Sequence, residues 1–324
     1  MTSRLSLALD RGAVTLPEGP LLLLRPPPDL GLSALPPDRT AFKHGFRPAH
    51  DALLARGLRA AEDGRSFAAA VVFAQRAREL TFDLLAQAVD AVGEDGLIVL
   101  DGHKTDGIEA VIRRIQGDVS LGEVFSKAHG KCVGFAPPAM APAGWRASVV
   151  KRDGFVTRPG VFSADGPDPG SRLLAAHLPT LSGHVADLGA GWGYLGRAIL
   201  ASDAVTAFDC VEAERLALDC ARENLPDARA RFHWADATAW TGGPYDTVVM
   251  NPPFHSGRAA DPELGKGFIR QAARCLLPAG RLWMVANRQL PYEDTLSEHF
   301  AEVFRRVEQD GYKVIEARKP RRRR

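Results

Sequence analysis

The stretch DLGAGWGYLG, residues 187–196, carries two overlapping spellings. From Gly191 it reads G-x-G-x-x-G, through Gly193 and Gly196. From Asp187 it reads D-x-G-x-G-x-G, through Gly189, Gly191 and Gly193. In both, the apolar run HVADL ends in glycines and hands over to the helical pattern YLGRAILA. Glycines suit such a turn because a backbone that must approach a ligand tolerates no Cβ in the way. Strand, glycine turn and helix open a β-α-β unit, and the chain beyond repeats the alternation. AVTAFDCVE, ARFHWAD, YDTVVMNPPF and GRLWMVAN read as strands, and AERLALDCARENL and LGKGFIRQAARCLLP as helices. SRLLAAHL is a helix ahead of the glycine loop. This order predicts a mostly parallel sheet, which binds ligands at the carboxyl ends of its strands.

The first half shows a fainter version of the same order. AHDALLARGLRAA (49–61) reads as a helix, FAAAVVFAQ (67–75) as a buried strand, and ARELTFDLLAQAVDAV as a helix with Leu80, Leu84, Leu85, Ala88 and Val92 at helical spacing. Leu97–Leu100 reads as a buried strand and TDGIEAVIRRI as an amphipathic helix. Residues 1 to about 40 read as short strands and loops, and FAPPAMAPAGW (135–145) as a linker. No glycine-rich fingerprint occurs here, since DGHKTDG lacks the G-x-G turn. The expected fold class is α/β, with two tandem Rossmann-like domains, of which the C-terminal one is catalytic and the N-terminal one degenerate. The expected boundaries are 1–140 for the degenerate domain, 141–158 for a linker and entry segment, 159–318 for the catalytic domain and 319–324 for a basic tail.

With 324 residues, 45% of them hydrophobic, the chain suits two domains with a core each. PLLLLRPPP is too short for a membrane span and is stopped by Arg25 and prolines, and no signal peptide is read. The four cysteines show no C-x-x-C spacing, so neither a metal site nor a disulfide framework is expected. A reduced, cytoplasmic protein is the expectation. Net charge is +2, but RKPRRRR at the end holds six cations: Arg318, Lys319, Arg321, Arg322, Arg323 and Arg324. The remaining body is slightly acidic, and the tail reads as a solvated end or a sequence-blind phosphate contact.

The two spellings of the glycine loop imply ligands of opposite charge. A dinucleotide brings a pyrophosphate, which favours a helix N-terminus and would be opposed by an acid such as Asp187. S-adenosylmethionine brings a sulfonium and an ammonium, which an acid at the strand end favours. The loop Asp187, Gly189, Ala190, Gly191 and Gly193 therefore reads as a cradle for the sulfonium cofactor, with Gly196 a small residue for helix packing. Glu212, at the end of the next strand, is the favoured ribose ligand, with Asp209 the competitor. Asp236 in HWADAT could accept from an adenine amine, with Ala237 supplying a backbone N–H.

Asn251, Pro252, Pro253 and Phe254 close the fourth strand. Two prolines alone could be a stop signal, but a generic turn needs no aromatic. A planar amine explains all four residues. Its lone pair is delocalised into the ring, so it is a poor nucleophile. The Asn251 carboxamide oxygen can accept one N–H and the Pro252 carbonyl the other. Pro253 has no N–H to compete, and Phe254 can stack on a flipped base. Positioning then carries most of the rate, without a strong general base.

VADLGAGWGYLG, VEAE, WADAT and MNPPFHSG, in this order, resemble class I S-adenosylmethionine-dependent methyltransferases acting on exocyclic amines. PGVFSADGPDPGSRLL (159–174), VANRQLPYEDTL (285–296), VLDGHKTDGIEAV and FSKAHGKCVGF narrow the resemblance to 16S ribosomal RNA guanine-N2 methyltransferases of the RsmC type. The resemblance is strong over about 159–316 and weaker over about 67–135. It implies two fused methyltransferase-like domains, the first without cofactor binding, and S-adenosylmethionine as cofactor. Asp187, Gly189, Gly191 and Gly193 would hold the methionine part, Glu212 the ribose, and Asp236 with Ala237 the adenine. Asn251 to Phe254 would hold the guanine, with Phe162 and Ser163 bordering the cofactor pocket. The implied partner is ribosomal RNA, as a small-subunit particle or its precursor, bound by a monomer with an internal pseudo-dimer of domains. Lys104, Lys127, His129 and Lys131 read as a solvated loop or as phosphate contacts. Competing readings are methylation of another amine (adenine N6, or a protein glutamine), a non-catalytic assembly factor, and a dehydrogenase, which leaves Asn251–Phe254 unexplained.

Overall fold

The computed structural model describes residues 3–253, 255–256, 259–260 and 262–321, with side chains undescribed at 255–256 and 259–260. The chain divides into two units, 1–149 and 150–324. The first contains α1 (Arg4–Asp10), β1 (Leu21–Leu24), β2 (Thr40–Lys43), α2 (Arg47–Ala55), β3 (Arg59–Ala60), β4 (Phe67–Phe73), α3 (Arg78–Ala91), β5 (Val92–His103), α4 (Ile108–Ile115), β6 (Phe125–Lys127) and β7 (Gly130–Phe135). Its seven strands run in the order β3-β2-β1-β4-β5-β7-β6, parallel as far as β5 and antiparallel beyond. β4 is apolar along its whole length and mostly buried, as a central strand covered on both faces should be. On α4, Ile108, Val111, Ile112 and Ile115 bury one stripe at i, i+3, i+4 and i+7.

Two expectations for this unit need correction. Residues 4–10 are a helix, not strand or loop: Ser3 caps it, its hydroxyl accepting from the Ser6 N–H, and Leu5 and Ala8 bury its inner face. The helix expected over 49–61 ends at Ala55, and residues 59–60 leave it to pair with β2. The stretch expected as a linker is anchored at its end by Trp145, which is 1% exposed, packs edge-on against Phe135 and donates its indole N–H to Asp118.

The second unit contains β8 (Val150–Arg152), β9 (Phe155–Thr157), α5 (Pro169–His177), β10 (Gly183–Leu188), α6 (Tyr194–Leu200), β11 (Val205–Glu212), α7 (Arg215–Asn224), β12 (Ala230–Trp234), β13 (Tyr245–Met250), β14 (His255–Ser256), β15 (Ala259–Ala260), α8 (Pro262–Cys275), β16 (Leu276–Asn287), α9 (Glu293–His299), β17 (Phe300–Gln309) and β18 (Tyr312–Pro320). Its main sheet runs β12-β11-β10-β13-β16-β18-β17, again parallel with an antiparallel end. Two Rossmann-like sheets thus succeed one another in the chain, as the residue pattern predicts. Strand alternation sorts the core into two layers. Ala186, Leu188, Val248, Met250 and Met284 pack with Ile269 of α8, while Val185, Phe208, Val249 and Val285 pack with Leu195 and Ile199 of α6.

The basic tail also needs correction. Arg318 and Lys319 belong to β18, not to an appendage. Arg318 bonds to buried Glu316 beside Arg306, and Lys319 pairs with Glu302. The Arg321 side chain donates to the Phe300 carbonyl. Arg322, Arg323 and Arg324 lie outside the described residues. All four cysteines are free and buried, and no helix among the described residues is long and apolar enough to cross a membrane.

Candidate functional site

The carboxyl ends of β10, β11, β12 and β13 bring the expected residues to one edge of the second sheet. β10 lies between β11 and β13, with Asp187 opposite Cys210 on one side and Val249 on the other. That central position buries Asp187 completely, and both its carboxylate oxygens are buried without a hydrogen-bond partner among the described residues. Burial, with the nearby charge of Glu212 adding to it, pushes its pKa up to about 8. A buried carboxylate without a partner is costly, and the raised pKa keeps the group protonated at neutral pH while no cation is beside it.

The chain then turns through Gly189, Gly191 and Gly193, all with positive φ. At Gly191, φ is +56°, and a Cβ would meet nothing within 4 Å. The bare backbone there faces open space, where a ligand can approach. Gly196 has a different reason: a Cβ on it would stand 2.7 Å from Leu225 and 3.1 Å from Phe208, so it serves helix packing. The third glycine of the G-x-G-x-x-G spelling is therefore explained by packing within the protein. An unpaired acid beside the glycine turn fits a ligand that brings positive charge.

Glu212 and Asp209 separate clearly. Glu212, the last residue of β11, accepts from the Gly191 N–H at 2.8 Å and from the Glu214 N–H at 2.7 Å. Burial raises its pKa, against the pull of these backbone bonds. Each oxygen keeps acceptor capacity for a further donor. Asp209 is buried within the sheet and is committed elsewhere. His184 and His233 each approach it at 2.9 Å, and the Tyr245 hydroxyl donates to it at 2.9 Å. Burial would raise its pKa, but these hydrogen bonds outweigh it and the net shift is downward. Asp209 is thus neither exposed nor a helix cap, and its side chain is not free to serve as the ribose ligand. It ties β10, β11, β12 and β13 together.

Asp236 accepts from the N–H and the hydroxyl of Thr238, capping a short 3-10 turn over Ala237–Ala239, with Ala237 buried. Asn251 comes directly after β13. Its Nδ2 donates to Asp168 Oδ2 at 2.9 Å and lies 2.8 Å from Ser171 Oγ. Pro252 is buried and Pro253 exposed; Phe254 lies outside the described residues. Phe162, Ser163, Asp168, Ser171, Gly189, Ala190, Gly191 and Asn251 line one cavity. Asp187, Gly193, Glu212, Asp236, Ala237, Pro252 and Pro253 do not line it, and Glu212, Asp236 and Ala237 stand at the ends of neighbouring strands. The Phe162 ring is 61% exposed although its loop is fixed: its carbonyl accepts from the Trp192 indole at 3.0 Å, and the Ser163 hydroxyl donates to the Gly166 carbonyl.

No local sequence motif marks Asp168, Ser171 or Trp192 as a site residue. Asp168-Pro169-Gly170-Ser171 is legible as a helix start, with an acid cap and proline in the first turn. Its pairing with an asparagine 83 residues away is not. In the first unit, Lys104, His129 and Lys131 gather at the β6–β7 hairpin: the Lys104 N–H donates to the His129 carbonyl, and Lys131 lies 3.7 Å from Glu109. Lys127, at the end of β6, is exposed. Among the described residues no group of three His, Cys, Asp or Glu is placed to hold a metal ion.

Residues 153–316 match the family model described as the methyltransferase small domain. A Shewanella pealeana protein named ribosomal RNA small subunit methyltransferase C is 30% identical over 261 residues, 76% of each chain. A protein of the same name from Shewanella sp. strain MR-7 is 28% identical over 256 residues, 75% of each chain. Among solved structures, the T. thermophilus 16S rRNA N2 G1207 methyltransferase (RsmC), in complex with AdoMet and guanosine, is similar at a TM-score of 0.78 and 25% identity, covering 94% of this chain and 90% of that one. The fold, the matched segment and the extent of these similarities agree: the chain belongs to the methyltransferase small-domain family and, within it, to the ribosomal RNA small subunit methyltransferase C family.

Proposed function

We propose that this protein transfers a methyl group from S-adenosylmethionine to the exocyclic N2 amine of a guanine in small-subunit (16S) ribosomal RNA. The observation that carries this reading is Asn251, which comes directly after the central strand β13 and lines the same cavity as the glycine turn beside buried, unpaired Asp187. The similarity to a guanine-N2 enzyme described with AdoMet and guanosine supports it.

S-adenosylmethionine supplies a methyl carbon already activated by its sulfonium leaving group. Asp187, giving up its proton as the cation binds, offers negative charge to the methionine end. The bare backbone at Gly191 leaves room for it beside Gly189 and Ala190, and Gly193 holds the turn at positive φ against Leu225. Glu212 takes the ribose hydroxyls, while Asp236 and Ala237 take the adenine edge. Phe162 and Ser163 border the pocket. Asn251 and the Pro252 carbonyl accept the two amine hydrogens of guanine, drawing the nitrogen towards a tetrahedral geometry with its lone pair aimed at the methyl carbon. Pro253 stiffens the turn, and Phe254 stacks on the base. The nitrogen held by Asn251 and the Pro252 carbonyl would gain a positive charge as its N–C bond formed at the expense of the S–C bond, and its excess proton would leave to water. Orientation and exclusion of water supply most of the acceleration.

The substrate is read as RNA in a small-subunit particle or its precursor, in the cytoplasm, acted on by a monomer. The N-terminal unit is read as a non-catalytic RNA-binding or structural domain. Mass-spectrometric mapping of methylated guanines in ribosomal RNA, from cells with and without this protein, tests the reading. One N2-methylguanine should vanish from the small-subunit RNA of cells lacking it. An unchanged guanine pattern, or loss of a methyladenine instead, would overturn it.

A further inference from the structure

We propose that Asp168 and Ser171, at the start of α5, are positioning residues that set which way the Asn251 amide faces. This proposal rests on the guanine-N2 reading above and deepens it. Asn251 Nδ2 carries two hydrogens, and two oxygens meet it: Asp168 Oδ2 at 2.9 Å and Ser171 Oγ at 2.8 Å. A carboxylate only accepts. The reverse orientation would press the amide oxygen against Asp168, so the carboxylate selects one face. With the NH2 side taken up, Oδ1 is left as the amide's remaining polar atom, and it can only accept. An acceptor is what an exocyclic amine requires, whereas an NH2 group turned into the cavity would repel it.

Asp168 is itself held. The same Oδ2 accepts the Ser171 N–H at 2.9 Å, closing the first turn of α5. Pro169 is the next residue, in the first turn, and a Cβ on Gly170 would stand 2.9 Å from the Tyr312 ring, so the helix start sits tightly on β18. One carboxylate thus anchors both the helix and the amide. The bond from Nδ2 to a charged acceptor also draws electron density toward Oδ1, strengthening it as an acceptor. Asp168, Ser171 and Asn251 all line the cavity, so the pair acts from its wall.

The test uses the full-length protein, S-adenosylmethionine, and small-subunit particles from cells lacking this protein. It measures kcat, KM for the particle, calorimetric cofactor affinity and melting temperature. Asp168→Ala is expected to lower kcat about 100-fold, with cofactor affinity within about threefold of wild type. Ser171→Ala is expected to cost about tenfold or less, because one acceptor remains. Asn251→Asp sets two carboxylates face to face and should abolish transfer. The double variant Asp168→Asn with Asn251→Asp restores a donor–acceptor pair in reverse. Because one oxygen, Oδ2, serves both contacts in the wild type, the amide introduced at position 168 must turn about its last side-chain torsion to cap α5 through its oxygen and donate through its nitrogen to the carboxylate introduced at position 251. The double variant should recover at least about tenfold over Asn251→Asp alone. A purely structural role for Asp168 predicts no such rescue. Wild-type kcat in folded Asp168→Ala, loss of cofactor binding in that variant, or a double variant no better than Asn251→Asp would each overturn the positioning role alone. A wild-type protein that methylates no guanine in the particles would overturn the functional reading, and this proposal with it.

Discussion

Each unit buries an acid within its sheet, and the two acids are treated in opposite ways. Asp101 on β5 of the first unit is met by the Arg4 side chain at 2.8 and 2.9 Å, through both of its carboxylate oxygens. Burial raises its pKa and Arg4 acts against that rise. Asp187 on β10 of the second unit has no hydrogen-bond partner among the described residues. The sheets have the same strand order, but the two acids stand on different strands of it: the counterpart of β10 is β1, whose Leu21–Leu24 carry no acid, and the counterpart of β5 is β16. The counterpart strands also end differently. After β1 the chain runs into Arg25, with φ +53°, and then Pro26, Pro27 and Pro28. After β10 it turns through glycines. After β4 come Ala74, Gln75 and Arg76, and after β13 come Asn251, Pro252 and Pro253. The first acid is compensated within the protein, and the second is the one proposed to face the cationic cofactor.

That contrast can be broken experimentally. Asp101→Ala leaves the Arg4 guanidinium, whose side chain is only 11% exposed, without its partner, and should destabilise the protein by about 3–5 kcal/mol in denaturant unfolding. Asp187→Asn should do the reverse in the ligand-free protein. With the Asp187 pKa at about 8, the folded protein holds a proton that the unfolded chain has released between roughly pH 4 and 8. Stability therefore falls as pH rises across that window, and the Asn variant should lose this slope and melt higher than wild type at about pH 9. An Asp187→Asn variant that melts lower than wild type there would remove the distinction between the two acids. The effect expected at Asp209 is smaller. Its depressed pKa means a contribution present above the unfolded value near pH 4 and lost as pH falls through the folded value. Asp209→Asn should cost about 1–3 kcal/mol at neutral pH and flatten the acid limb of the stability curve.

The residues disclose the alternating pattern, and with it both sheets, because central parallel strands such as FAAAVVF and YDTVVM are largely apolar on both faces. They disclose less where the signal is short or partly exposed. α1 is only seven residues long, and its helical stripe is too brief to stand out. β17 is largely exposed, so no apolar run marks it. The Asp310–Gly311 turn, with both φ values positive, carries the hairpin signal that could have revealed it. Lys319 reads as tail because its partner Glu302, on β17, comes into reach only once β17 and β18 pair, whereas Arg318 meets Glu316 two residues away along β18 itself. The same holds at the site. The glycine loop and Asn251 are legible as local motifs, and Asp168 is legible as a cap. That Asp209 serves the sheet while Glu212 meets the glycine loop depends on register between strands, which no local pattern contains.

The most direct measurement is methyl transfer to guanine N2 in small-subunit RNA by purified wild-type protein and by Asn251→Ala, read alongside cofactor affinity for both. Wild type should methylate guanine N2. Asn251→Ala should transfer at least about 100–1,000-fold more slowly, with cofactor affinity within about twofold. Transfer to another atom by wild type, unimpaired transfer by the variant, or loss of cofactor binding in place of transfer would contradict the role of Asn251 as the acceptor that holds the guanine amine.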